Sequence, residues 1–119
     1  MKSLKKKLAS GELCLGAWVM LRDPIAVEVM AKSGLDWLAI DMEHAPITID
    51  IAADLIRVGA NCGVDILVRT PDHSHTTIKQ VLDAGASGVI VPDVRNVKQA
   101  EELLGAIRYP ALQNDSRKL

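Results

Sequence analysis

Two kinds of hydrophobic pattern alternate along the chain. Short unbroken apolar runs, which suit strands buried on both faces of a parallel sheet, are followed by longer stretches with apolar positions every three or four residues. The runs predict strands at 13–19, 37–41, 65–69 and 88–92. Gly16 inside the first signals a bulge or a close backbone approach. The longer stretches predict four helices. Asp23-Pro24 opens one, with Ile25, Val29 and Met30 as its buried stripe and Gly34 as its stop. Thr48 or Asp50 starts the next, with Ile51, Leu55, Val58 and Gly59 on one face and Gly63 at its end. Ser74 caps a third that turns Ile78, Val81 and Leu82 inward and closes near Gly85, and a fourth over 97–107 buries Ala100, Leu103, Leu104 and Ile107. Leu4 and Leu8, four apart, add a short amphipathic helix ahead of the first strand, its lysines in solvent.

Four βα units without a linker imply one parallel sheet with right-handed crossovers. That sheet is either a small doubly wound domain or half of an eight-fold (β/α) barrel, which needs about 250 residues. Composition narrows the function. With 119 residues, 49% of them hydrophobic, the chain can fill a core, and 14 basic against 15 acidic residues leave a net charge of −1. No basic face with interleaved aromatics is present, which excludes nucleic acid as a partner. The basic start is followed by no signal-type apolar segment, and no run approaches the ~20 residues of a membrane span, so a cytoplasmic protein with no membrane partner is expected. Cys14 and Cys62, outside any CxxC pattern, read as small core residues in a reducing compartment.

The chemistry gathers where strands end. Residues 36–46 read Asp-Trp-Leu-Ala-Ile-Asp-Met-Glu-His-Ala-Pro: a buried run that turns abruptly polar at Asp41, Glu43 and His44. In both candidate architectures the carboxyl ends of the strands are where ligands bind. Trp18, Asp41 with His44, Arg69, and Pro92 with Asp93 stand at the ends of the four strands in turn, a distribution that favours the barrel rim. Residues 19–24 contain neither GxGxxG nor GxxxxGK, so a nucleotide is not expected. His73 and His75 invite a metal reading, but the segment starts a helix with Ser74 as its cap, and the helix start is the better account.

Several motifs in order, Gly16-Ala-Trp18, Pro24 with Glu28, Gly34-Leu-Asp-Trp37, Ile40-Asp-Met-Glu-His-Ala-Pro46, Val68-Arg69, Ile78-Lys-Gln-Val-Leu-Asp-Ala-Gly85, Gly88-Val-Ile-Val-Pro92 and Arg108-Tyr-Pro110, resemble the HpcH/HpaI family. These are metal-dependent class II pyruvate aldolases of the 4-hydroxy-2-oxoheptanedioate aldolase type. The resemblance implies an α/β, TIM (β/α)8-barrel architecture of which the chain, as a single partial domain 1–119, holds the first four βα units, with 111–119 a divergent tail. It implies a carbon–carbon lyase, an aldehyde-lyase, that cleaves a 4-hydroxy-2-oxo acid reversibly into pyruvate and an aldehyde on Mg²⁺, Mn²⁺ or Co²⁺. His44 would be the general base, Asp41 its orienter, Arg69 the cation on the enolate oxygen, Trp18 a pocket wall and Asp83 a subunit contact in a homo-oligomer.

Two departures stand out. Met42 replaces a residue commonly glycine in the family, and the family's glutamate and aspartate metal ligands would lie beyond residue 119, leaving no metal ligands in this chain. The resemblance therefore implies a truncated lyase, inactive or nearly so by itself. A non-catalytic oxo-acid-binding or assembly module is the alternative, and a citrate-lyase-like acyl lyase fragment is a weaker one.

Overall fold

The computed structural model describes residues 2–108. It contains a short helix α1 (Leu4–Ala9) and then four strand–helix units: β1 (Gly16–Val19) and α2 (Pro24–Ala31), β2 (Trp37–Asp41) and α3 (Ile49–Asn61), β3 (Asp65–Arg69) and α4 (His75–Asp83), β4 (Gly88–Ile90) and α5 (Val97–Ile107). The strands form one parallel sheet in the order β1-β2-β3-β4. Sequential order with no reversal is the topology of a barrel wall, whereas a doubly wound sheet would switch direction. The helices touch one another in chain order, α2 on α3, α3 on α4 and α4 on α5.

The pleat divides the sheet residues between two environments. Val19, Leu38, Ile40, Ile66 and Val68 pack beneath the helices with Val27, Ala52, Leu55, Ile56 and Val81 in the main core. The opposite face carries Trp18, Ala39, Leu67 and Gly88 in register across the four strands, and one layer above them Asp41, Arg69 and Ile90. This second face is the one a closed barrel would turn inward. Gly16 is required in the lowest layer: a Cβ there would overlap the Trp37 ring on the neighbouring strand. The sequence signal at Gly16 is thus a close approach.

Caps follow the sequence. The Asp23 side chain accepts from the Ile25 N–H with Pro24 at the first helical position, Ser74 accepts from Thr77 N–H, and Thr48 is the N-cap of α3 without a side-chain cap bond. Gly63, at φ 81°, ends α3 in the left-handed region open to glycine.

Several expectations are corrected. Ile25 and Val29 are exposed, at 69% and 65%, and Val27 is the fully buried residue of α2. This helix is apolar on more than one face, so periodicity reported an apolar stripe but not which stripe is covered. Leu104 is likewise 49% exposed while Ala106 is buried. β1 begins at Gly16 and β4 ends at Ile90, each shorter than its apolar run because pairing partners, not hydrophobicity, bound a strand. Leu8 is exposed, and Lys7, expected in solvent, instead bonds Asp36 at 2.6 Å. Cys14 and Cys62 are free and half-buried, flanking the core rather than filling it. Among the described residues no helix is long and apolar enough to cross a membrane. The predicted tail, 111–119, and the end of the Arg108-Tyr-Pro110 motif lie outside the described residues.

Candidate active site

β2 and β3 end side by side, with Asp41 in register with Arg69. Parallel pairing therefore sets a carboxylate and a guanidinium on the same face of neighbouring strands, and they form a two-pronged ion pair. Arg69 Nη2 donates to Asp41 Oδ2 at 2.6 Å and Nε to Oδ1 at 3.1 Å. Asp41 is fully buried, and its Oδ1 also accepts the backbone N–H groups of Glu43 and His44, both at 3.0 Å. The Arg69 hydrogen bonds, assisted by those two N–H donors, overcome burial and hold the Asp41 carboxyl down at about 2. The same pair pushes the Arg69 guanidinium up. On its other side, Arg69 lies over the Trp18 indole with Cζ 4.2 Å from the ring centroid, a cation–π stack.

The turn after β2 completes the rim. Met42 N–H donates to Arg69 O at 3.0 Å, continuing the ladder past the strand end. Met42 packs half-buried against the main core, and its backbone is not left-handed. The exposed His44 ring places Nε2 2.9 Å from Glu43 Oε1, and the same oxygen lies 3.7 Å from Arg69 Nε. Glu43 thus links imidazole and guanidinium on one rim.

The expected site residues are placed as follows. Trp18, Asp41 and Arg69 form one contiguous stack, with His44 joined to it through Glu43. Asp41 does not touch the His44 ring; it holds the His44 backbone, and the carboxylate at the imidazole is Glu43. Its partners explain why: fully buried, Asp41 directs Oδ1 to two backbone N–H groups and Arg69 Nε and Oδ2 to Arg69 Nη2, while the imidazole is exposed. The signal for Glu43 was its place in the Asp-Met-Glu-His motif, but sequence could not say which way its side chain turns. Asp83 stands apart, exposed at the end of α4. His73 bonds the Pro92 carbonyl through Nε2 at 2.7 Å and Ser74 caps α4, in keeping with a helix start there. A cleft of about 300 Å³ beside the rim is lined by Glu43, Pro71, Asp72, His73, Pro92 and Asp93. Asp93, at φ 58°, is the one non-glycine residue with positive φ among the described residues.

A motif profile for the HpcH/HpaI aldolase/citrate lyase family matches residues 15–117. The chain belongs to this family. It is 43% identical over 108 residues to a hydroxypyruvate/pyruvate aldolase of Roseovarius nubinhibens, covering 91% of this chain and 42% of that protein. Against a 4-hydroxy-2-oxovalerate aldolase of Novosphingobium aromaticivorans the identity is 44% over 109 residues, with the same two coverages. The crystal structure of an HpcH/HpaI aldolase from Desulfitobacterium hafniense superposes with TM-score 0.84 at 34% identity, over 92% of this chain and 43% of that one. The citrate synthase SbnG superposes with TM-score 0.85 at 36% identity, over 90% and 44%. The chain therefore spans about two-fifths of the length of these relatives, and its fold is an α/β half of their TIM-barrel architecture. The curated relatives named here are aldolases and the second superposed structure is a citrate synthase.

The family depends on a divalent metal. Among the described residues, no group of three or more His, Cys, Asp or Glu side chains is placed to hold one. At the rim itself, Asp41 is fully buried and ion-paired with Arg69, and Glu43 lies between His44 and the same guanidinium, so these residues do not fit a metal ion.

Proposed function

We propose that this chain provides the enolate-binding face and the general base of an aldehyde-lyase that cleaves a 4-hydroxy-2-oxo acid to pyruvate and an aldehyde. The observation carrying this reading is the Asp41–Arg69–Trp18 stack with His44 on the same rim. In the cleavage direction the 4-hydroxyl loses its proton, the bond between C3 and C4 breaks as the C4 carbonyl forms, and the electron pair moves onto the 2-oxo oxygen as an enolate. Protonation at C3 then gives pyruvate.

Arg69 suits the enolate. Asp41 occupies Nε and Nη2, and a guanidinium has five N–H donors, so Nη1 remains to meet an oxygen with its direction fixed in advance. Trp18 beneath it restrains the guanidinium plane. His44 suits the base. With Nε2 2.9 Å from Glu43 Oε1, Nδ1 is the ring nitrogen left to meet a hydroxyl proton. Asp41 sets the height of His44 through the backbone rather than its tautomer. The substrates on this reading are a small 2-oxo acid and an aldehyde.

Calorimetry with pyruvate, and with oxalate as a planar enolate mimic, tests the assignment on the 119-residue chain. Saturable binding lost in Arg69→Ala and kept in His44→Ala is expected; binding indifferent to Arg69→Ala overturns it. In a pyruvate-release assay with Mg²⁺, Mn²⁺ or Co²⁺, little turnover is expected from this chain alone. Robust release lost in His44→Ala would show that these residues suffice for the whole reaction.

A further inference from the structure

The rim holds one acidic side chain with no part in the proposed bond breaking. Glu43 is half-buried on the turn after β2, and its Oε1 lies between two nitrogens, 2.9 Å from His44 Nε2 and 3.7 Å from Arg69 Nε. Asp41, the other carboxylate beside this turn, is buried against Arg69 and meets His44 only at the backbone N–H. The turn itself is anchored. Ala45 and Ile47 are buried in the main core, and Asp41 Oδ1 holds the N–H groups of Glu43 and His44. All of these residues lie on β2, on β3 or on the turn after β2, and both strands have a neighbour on either side.

We propose that Glu43 is the positioning residue of His44: its carboxylate keeps the Nε2 edge of the imidazole toward itself and supplies the negative charge that lets the ring become a cation beside Arg69. The inference rests on the proposed role of His44 as the base. When Nδ1 takes the 4-hydroxyl proton, the ring gains a positive charge on a rim that already carries a permanent guanidinium, and the two cations repel. Asp41 is poorly placed to offset that charge, because its oxygens are directed to Arg69 and to backbone N–H groups. Glu43 is well placed, with one oxygen between the two nitrogens. An ionised carboxylate only accepts, so it favours a proton on the nitrogen facing it and leaves the lone pair at Nδ1. The other charged and titratable groups near the rim stand around the neighbouring cleft, Asp72 and His73 after β3 and Asp93 after β4. Each has a partner of its own: Asp72 accepts the Ser74 N–H, His73 Nε2 meets the Pro92 carbonyl, and Asp93 pairs with Arg95. Glu43 is thus the carboxylate in contact with the ring.

Proton NMR of the 119-residue chain tests this without requiring turnover. His44→Ala identifies the His44 ring signals among the three histidines. Glu43→Gln keeps the size of the side chain and removes its charge. In that variant the pH at which the His44 signals titrate is expected to fall by about 0.2–0.7, the range of an exposed ion pair, while His75, at the start of α4, titrates as in the parent. Glu43→Asp keeps the charge on a stem one methylene shorter and should show a smaller fall; it carries the comparison if circular dichroism finds Glu43→Gln unfolded. Calorimetry with oxalate supplies the second readout. Glu43→Gln should bind oxalate at least as tightly as the parent, because a negative charge near Arg69 is gone, whereas a side chain that only props the rim would take binding with it. A His44 titration indifferent to these variants, or oxalate binding lost with Glu43, would overturn the proposal. The proposed function fails on a different signal, oxalate binding indifferent to Arg69→Ala.

Discussion

The two ends of the sheet use the same side chains for opposite purposes. At the amino-terminal rim, Asp36 bonds Lys7 at 2.6 Å and the Leu15 N–H at 2.8 Å, while Asp65 accepts the Leu4 N–H and, at 2.8 Å, the Ser87 hydroxyl. Each carboxylate ties one segment to another, and α1 is laced across the strand starts. At the carboxyl-terminal rim, Asp41 is as fully engaged, yet its chief partner is a guanidinium with unused donors beside an exposed imidazole. A carboxylate that ends its chain of bonds on backbone and lysine stabilises. One that fixes a cation facing open space prepares a site. In barrels the strand starts serve stability and the strand ends serve chemistry, and here the distinction follows from what the partners have left to offer.

The sharpest way to break this contrast is at Asp41. Asp41→Ala leaves the half-buried Arg69 and two backbone N–H groups without an acceptor, so a loss of about 3–5 kcal/mol in urea unfolding is expected, together with loss of oxo-acid binding. An unchanged midpoint would show that the rim is not built on this residue. Acid makes the same point more gently. The Asp41 carboxyl is near 2 folded against about 3.9 unfolded. Its contribution, about 2.6 kcal/mol, is therefore complete above about pH 5 and lost as pH falls through 2. Asp41→Asn should flatten that limb of the stability profile, and Asp36→Asn, whose carboxyl is also lowered but chiefly by Lys7, should remove only its own share and leave the Asp41-dependent part in place.

Most of the scaffold was legible because its signals are local. Unbroken apolar runs marked the strands, Asp23-Pro24 and Ser74 marked helix starts, and Gly63 marked a stop. The rim residues were legible as a group because strand ends converge in any parallel sheet. What escaped was relational. Whether Ile25, Val29 and Leu104 are covered depends on neighbours that a helical period does not name. That Asp41 spends itself on Arg69, and Glu43 meets His44, depends on a register and a turn that put three acceptors within reach of one guanidinium and two N–H groups.

At the amino-terminal rim the comparison can be sharpened by packing. Gly16→Ala would drive a methyl into the Trp37 ring, and overpacking of this kind costs about 1–3 kcal/mol. Because Gly16 and Trp37 lie two layers below Arg69, stability should fall while pyruvate affinity per folded molecule stays constant. A parallel loss of affinity would mean that the two rims are not independent.

The smallest expected effect separates holding a charge from supplying it. Trp18→Leu keeps an apolar side chain under Arg69 but removes the ring face 4.2 Å from its Cζ. A cation–π contact at a partly exposed site is worth about 0.5–1 kcal/mol, so pyruvate affinity should drop about two- to fivefold, while the Asp41-dependent acid limb, set by the ion pair, keeps its position. If Trp18→Leu moved the acid limb as well, the indole would be fixing the ion pair itself. The carboxyl-terminal rim would then be one cooperative unit rather than a salt bridge resting on a restraining platform.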